Sequence, residues 1–271
     1  MKPCLLLSMT LAALHLQAQV AQPRPPAAIP GTETFTLHSQ ALATDYLIRV
    51  YLPDGYESSG KPYPVLYLLD GDHAFAMATD IVTYLQYGKH VPELIIVSPA
   101  YNSKLGPAEG GANQRQRDFS PFQWGGAPAE PSAAAYFAFF RDTLVQQVEA
   151  MYRTQPGERA LWGYSRSGLF VLWALFEKPG LFNRYIVLDT AFRKFLELEE
   201  AYAAQHRALD ASLFIGYGSL GNGKQDLEFM ERLAARKYKQ FRYDYQPLQG
   251  GQHLMIPAAG LSLGLEFVYR K

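Results

Sequence analysis

Gly163-Tyr164-Ser165-Arg166-Ser167-Gly168 lies between a short apolar run, Arg159 to Trp162, and a second one, Leu169 to Phe176. The spacing predicts strand, sharp turn and helix, with Ser165 at the apex. A nucleophile elbow needs this setting, because the serine takes a strained backbone conformation that pushes its hydroxyl outward. Small residues are then required two before and two after it, and here they are Gly163 and Ser167. Gly168 gives the following helix room to lie against the strand. A serine stands where the usual elbow has its second glycine. Such a string alone is a weak signal and also fits a plain strand-to-helix turn, so the rest of the chain has to decide.

The chain has 271 residues, nearly half of them hydrophobic, with 18 Tyr, 16 Phe and 3 Trp. That suits one large α/β domain with a sizeable core and an aromatic-lined cleft. Lys plus Arg (25) equals Asp plus Glu (25), which gives no electrostatic ground for a nucleic-acid partner or a membrane surface. Cys4 is the only cysteine, which excludes internal disulfides and cysteine-based metal sites. Residues 1–21 have the pattern of a secretory signal: Lys2, the apolar stretch Leu5 to Leu16, and Ala18 or Ala21 before the cut. That stretch is too short for a permanent anchor. A periplasmic or secreted protein is expected, with residues 22–32 as a flexible leader and 33–271 as the folded domain.

Strand and helix patterns alternate beyond the leader. Glu33 to Ser39 and Tyr46 to Leu52 alternate apolar with polar residues and suit an antiparallel start to the sheet. Tyr63 to Leu69, Leu94 to Val97, the elbow strand, Tyr185 to Leu188, Leu213 to Tyr217 and Phe241 to Tyr245 are the further strands. Helical patterns cover Ala74 to Tyr87, Ala134 to Tyr152, stretches near 194–208 and 224–237, and Ala258 to Tyr269. The expected fold is α/β, with a mostly parallel sheet covered by helices on both faces.

Tyr101 to Ser132 breaks the rhythm, with Gly, Pro, Asn and Arg beside Phe119, Phe122 and Trp124. A long aperiodic loop that leaves the carboxyl end of a strand is expected to form a substrate-binding wall. Of the six histidines, His15 falls in the signal, His38 in an early strand, and His90 and His206 at polar helix ends; His73 lies just beyond Asp70-Gly71, where it could line the cleft. His253 follows the last strand in the glycine-loosened Gln249-Gly250-Gly251-Gln252 and is the expected general base. The chain order serine then histidine on a parallel sheet is that of α/β hydrolases.

These stretches resemble the Putative esterase family, which includes esterase D, enterobactin esterases, some feruloyl and acetylxylan esterases, and mycolyltransferases. The resemblance is carried by Val65-Leu66-Tyr67-Leu68-Leu69-Asp70-Gly71, Arg115-Gln116-Arg117-Asp118-Phe119-Ser120-Pro121 and Tyr152-Arg153-Thr154. It continues through the elbow to Leu169-Phe170, then Pro179-Gly180-Leu181-Phe182 and His253. It implies an α/β-hydrolase fold with Ser165 as nucleophile and His253 as base. It also implies an oxyanion hole built from the backbone N–H of Arg166 and one from Gly71-Asp72.

Two departures from the family pattern concern the acid. Gly221 stands where the acid is usually found, and Asp189-Thr190-Ala191 replaces a Ser-Pro-Ser-like turn after the sixth strand of the fold. Asp189 is the expected partner of His253, while a merely capping Asp189, Asp226, Glu228 or a serine–histidine dyad remain open. The expected function is an exported serine esterase acting through an acyl-enzyme on Ser165, on a small-molecule ester such as a siderophore or carbohydrate ester. Tyr164, Arg117 and Trp124 are expected at the substrate, although Arg117 has a structural ion pair with Asp118 as its alternative. No metal or organic cofactor is implied. An acyltransferase using the same serine, and a catalytically weak binding homologue, are the competing classes.

Overall fold

The computed structural model describes residues 27–102, 112–123, 130–220 and 227–270. The signal and the first part of the leader, Trp124, Gly221 and Asp226 lie outside the described residues. In chain order the elements are β1 (Thr32–Ser39), β2 (Thr44–Tyr51), the single turn α1 (Tyr56–Ser59), β3 (Tyr63–Leu68), α2 (Gly71–Tyr87) and β4 (Ile95–Ala100). Next come α3 (Ala112–Phe119) and α4 (Ala133–Phe139), the latter running through a π-turn into α5 (Val145–Met151). Then follow β5 (Thr154–Tyr164), α6 (Arg166–Glu177), β6 (Arg184–Leu188), α7 (Leu196–Gln205), β7 (Ala208–Gly218), α8 (Leu227–Arg236), β8 (Lys239–Leu248) and α9 (Pro257–Tyr269).

The described strands form one sheet in the order β1-β2-β4-β3-β5-β6-β7-β8. β1 pairs antiparallel with β2, and β2 antiparallel with β4; every later pairing is parallel. The central strands read as unbroken apolar runs because both faces are covered. Val65, Tyr67, Leu161, Val187 and Ile215 point into the core under α4 to α8. Their neighbours Leu66, Leu68, Trp162, Ile186 and Phe214 point the other way, under α2 and α9. This two-residue alternation divides one set of strands between two cores.

The expected elements are present, with shifted ends and with α1 and α3 added. The stretch expected to be a loop, Tyr101 to Ser132, contains α3. Phe119, expected in the loop wall, is instead buried and packs on Tyr136 and Phe170. α2 starts at Gly71 rather than Ala74, because Asp70 takes the left-handed conformation (φ 59°, ψ 43°) and turns β3 directly into the helix. The sheet order places the ends of β3, β5, β6, β7 and β8 side by side. Everything the candidate site needs projects from that edge.

Candidate active site

Ser165 links β5 to α6 at φ 57°, ψ −118°, a conformation that L residues rarely adopt. The strain is held by neighbours: Ser165 N–H donates to Leu188 O (2.8 Å) and Thr190 Oγ1 donates to Ser165 O (2.6 Å). Gly163 cannot carry a side chain, since a Cβ there would stand 2.5 Å from Ser167 O. The elbow turn is thereby tight enough to lift Oγ of Ser165 clear of the sheet.

His253 opens a one-turn helix, His253–Met255, after β8. Its Nε2 lies 3.0 Å from Ser165 Oγ and its Nδ1 lies 2.6 Å from Asp189 Oδ2. Asp189 follows β6 with φ 42°, and its side chain is 7% exposed whereas that of His253 is 46% exposed. The second carboxylate oxygen accepts the Gly218 N–H at 3.3 Å. Gly218 in turn lets the histidine loop approach β7, because a Cβ at that position would meet Gly251 O at 2.6 Å. Serine, imidazole and carboxylate thus stand in one hydrogen-bonded line although they come from three strand ends. Glu228 is not part of it: its carboxylate faces Arg193 and Arg232 on the surface.

Tyr164 supports the histidine. Its hydroxyl donates to the His253 carbonyl (2.6 Å) and its ring lies 4.8 Å from the imidazole, tilted by 32°. Burial, followed by the charge of Asp189, pushes the phenol up to about 12, so it stays a donor at neutral pH. Tyr164 also lines the cleft, as its expected substrate role requires.

Gly71 and Asp72 form the first turn of α2, and Arg166 the first residue of α6. Initial N–H groups of a helix have no carbonyl partner within it and carry partial positive charge. His73 and Ala74 N–H both close on Asp70 O, each at 2.9 Å. The Asp72 carboxylate is turned away, accepting the Tyr101 N–H at 2.8 Å with Arg49 3.7 Å off. The Arg166 guanidinium reaches Ser120 Oγ at 3.3 Å. Burial and then the charge of Arg115 lower its pKa. The cleft in front of Ser165 encloses about 360 Å³, with Met77, Trp162, Leu254 and Pro257 as its apolar wall and Arg115 as its cation.

The expectation for Arg117 needs correction. Its Nε donates to Asp118 Oδ1 (2.7 Å), Nη1 to Leu42 O (3.1 Å) and Nη2 to Thr44 Oγ1 (3.0 Å). Asp118 is fully buried and also accepts the Tyr46 and Tyr101 hydroxyls at 2.6 and 3.0 Å. Burial raises the Asp118 carboxyl, and the bond from Arg117 pulls it back. Arg117 is therefore tied to the sheet edge, away from the cleft, because a buried carboxylate demands a partner. Sequence reasoning missed Arg115, Met77 and Leu254 at the cleft, together with the carboxylate of Asp70. Asp70 carried a signal in the Asp70-Gly71 pair after a buried strand, and Arg115 in the arginine pair of its motif.

Residues 39–193 match the family described as Putative esterase. The ferri-bacillibactin esterase BesA of Bacillus subtilis is 32% identical over 173 residues, 58% of this chain and 57% of that protein. The siderophore triacetylfusarinine C esterase of Aspergillus fumigatus is 29% identical over 169 residues, 59% of this chain and 56% of that protein. The chain thus spans a little over half the length of the curated relatives it matches. Among solved structures, an IroE-like serine hydrolase from Shewanella oneidensis superposes with a TM-score of 0.78 at 25% identity, covering 88% of this chain and 80% of the other. The BES protein from Bacillus cereus gives 0.80 at 24% identity, covering 92% of this chain and 98% of the other. The family match takes in more than half of the chain, and the sheet with its helices is of the α/β-hydrolase type. The chain belongs to the Putative esterase family.

Proposed function

We propose that the protein is an exported serine esterase that hydrolyses a siderophore ester through an acyl-enzyme on Ser165. The observation that carries this reading is the hydrogen-bonded line Ser165–His253–Asp189 at the mouth of a cleft, beside two helix starts. The siderophore esterases among its relatives support the substrate class. His253 Nε2 takes the hydroxyl proton of Ser165 as Oγ attacks the ester carbonyl. Asp189 holds the proton of Nδ1 in place and stabilises the imidazolium that forms. The carbonyl oxygen, now an anion, is received by N–H groups of Arg166 and of the Gly71-Asp72 turn, which point where charge develops. The tetrahedral intermediate expels the alcohol, which takes the proton from His253. Water then attacks the acyl-enzyme with the same histidine as base, freeing the acid and restoring Ser165.

The apolar wall of Met77, Trp162, Leu254 and Pro257 suits an aromatic acyl or alcohol part, with Arg115 at its edge. Asp189 fills the role that position 221 has in the family, and an acid at that place removes the chief ground for a non-catalytic binder. Residues 1–21 direct export in this reading. A serine-directed phosphonate should label the wild type and Ser167→Ala but not Ser165→Ala, and the untreated wild type should cleave siderophore lactones faster than acetyl-sugar or feruloyl esters. Labelling that survives Ser165→Ala would remove the nucleophile; equal rates on all esters would remove the substrate class.

A further inference from the structure

Beneath the elbow lies a buried polar cluster that the reaction itself does not use. Asp70, with a side chain 6% exposed, accepts Arg115 Nε at 2.5 Å and Nη2 at 3.0 Å on its two oxygens. Its Oδ2 also accepts the hydroxyl of Ser167 at 2.6 Å. Ser167 is completely buried, and its Oγ receives the Tyr164 N–H at 2.8 Å. A hydroxyl has one hydrogen; the carboxylate attracts it more strongly than the Tyr164 carbonyl, which stands 2.9 Å from Oγ. That carbonyl is left to Arg115 Nη2, 3.3 Å away. Both backbone groups of the residue before the nucleophile are therefore held by Asp70, Arg115 and Ser167.

The cluster joins parts of the chain that are far apart. Asp70 occupies the strained left-handed position directly before Gly71, so its own carboxylate is fixed to the turn that offers one oxyanion donor. Ser167 is the second residue of α6, next to Arg166, which offers the other. Asp70 and Ser167 are 97 residues apart in sequence. Arg115 sits on α3 with 17% of its side chain exposed, at the wall of the cleft. Its charge is held by Asp70: burial works to lower its pKa, and Asp70 raises it. A glycine at position 167, as in the usual elbow, would leave Asp70 without this link.

We propose that Asp70, Arg115 and Ser167 form a positioning network that sets the separation between the two halves of the oxyanion hole, with the Ser167 hydroxyl as the coupling between them. The proposal rests on Ser165 being the nucleophile. None of the three side chains touches the reacting atoms in this role; they act through Gly71, Tyr164 and Arg166. Catalysis is sensitive to such placement: a displacement of about 1 Å can cost on the order of 100-fold, and loss of one donor about 100- to 1,000-fold. Removing the coupling while leaving both donors in place should cost less, about 10- to 100-fold.

The test uses the full chain carrying Ser167→Ala, Ser167→Gly, Arg115→Gln and the double variant Arg115→Gln/Ser167→Ala. The rate of labelling by a neutral phosphonate ester is measured beside kcat and KM on a small neutral acetate ester, with thermal melting as the check on folding. The expected result is a parallel fall of kcat and labelling rate by about 10- to 100-fold, with KM within about twofold. The double variant should lose less than the product of the single losses, since both act through Asp70. Wild-type kcat and labelling rate in both Ser167 variants would overturn the proposal, as would losses that track the unfolded fraction. If Ser167→Ala melts early, Ser167→Gly and Arg115→Gln decide. A wild-type protein that takes no label on Ser165 overturns the nucleophile reading itself, an outcome distinct from a labelled protein indifferent to position 167.

Discussion

Asp189→Asn separates a catalytic carboxylate from a structural one because the amide fits the same space. Asparagine tolerates the left-handed conformation that Asp189 holds at φ 42°, so the fold should survive. The amide faces a choice. With its oxygen toward the Gly218 N–H, its NH₂ group points at His253 Nδ1 and forces the tautomer protonated on Nε2, which cannot take a proton from Ser165. Turned over, it serves the histidine but sets NH₂ against the Gly218 N–H. The Gly218 contact is long, 3.3 Å, so the first orientation is favoured by about 0.5–1 kcal/mol. Loss of the carboxylate beneath the forming imidazolium adds about 1.5–3 kcal/mol, the range for hydrogen bonds to charged groups. Together this is about 2–4 kcal/mol, or a fall in kcat of roughly 30- to 1,000-fold at about 1.36 kcal/mol per decade. The effect should stay below the ~10⁴ of serine proteases, because 46% of the His253 side chain is open to water. The assay is kcat on a small aryl acetate ester, with circular dichroism and thermal melting as controls. A variant within about threefold of wild type would refute the role of Asp189. The choice would then pass to Asp226 or to a Ser165–His253 dyad, since Glu228 is paired with Arg193 and Arg232 on the surface.

Three further outcomes follow from the same geometry. Arg117→Ala should lower stability by about 3 kcal/mol, the low end for stranding a buried charge, and Tm by roughly 6–12 °C for a chain of this size. KM on anionic and neutral esters should be unchanged, and a selective rise on the anionic ester would return Arg117 to the substrate. Tyr164→Phe removes the hydroxyl that holds the His253 carbonyl at 2.6 Å and should reduce kcat by about 3- to 10-fold, the cost of one neutral hydrogen bond; steady-state kinetics showing only a KM change would refute it. Gly163→Ala places a methyl 2.5 Å from Ser167 O, which backbone atoms cannot absorb, so phosphonate labelling should be lost even in whatever fraction folds. Full-rate labelling would refute the tight elbow.

The parts of the site that were legible in the sequence are those whose position follows from a strand end. Ser165 and Asp189 each sit at the carboxyl end of an apolar run, and parallel strands bring those ends to one edge. His253 was legible through chain order and the glycines that loosen its loop. The parts that were not legible depend on α3. Its sequence, Ala112 to Phe119, is strongly polar and has no apolar face of its own. The helix is held by distant partners: Arg115 on Asp70, Arg117 and Asp118 on β2, and Phe119 at 1% exposure on Tyr136 and Phe170. Burying a phenylalanine contributes about 1.5–3 kcal/mol, more than propensity over one short helix supplies. Read as a loop, the stretch offers no reason to prefer one arginine to the other. As a helix it puts residues two apart on faces roughly 200° apart, so only one arginine of the pair can face the cleft. Arg117 is committed to the buried Asp118 beside it, and Arg115 is the one left to reach across to Asp70. The identity of the cleft cation is thus decided by the buried charge of Asp118, which takes up Arg117 and leaves Arg115 for Asp70, a constraint that exists only once the chain is folded.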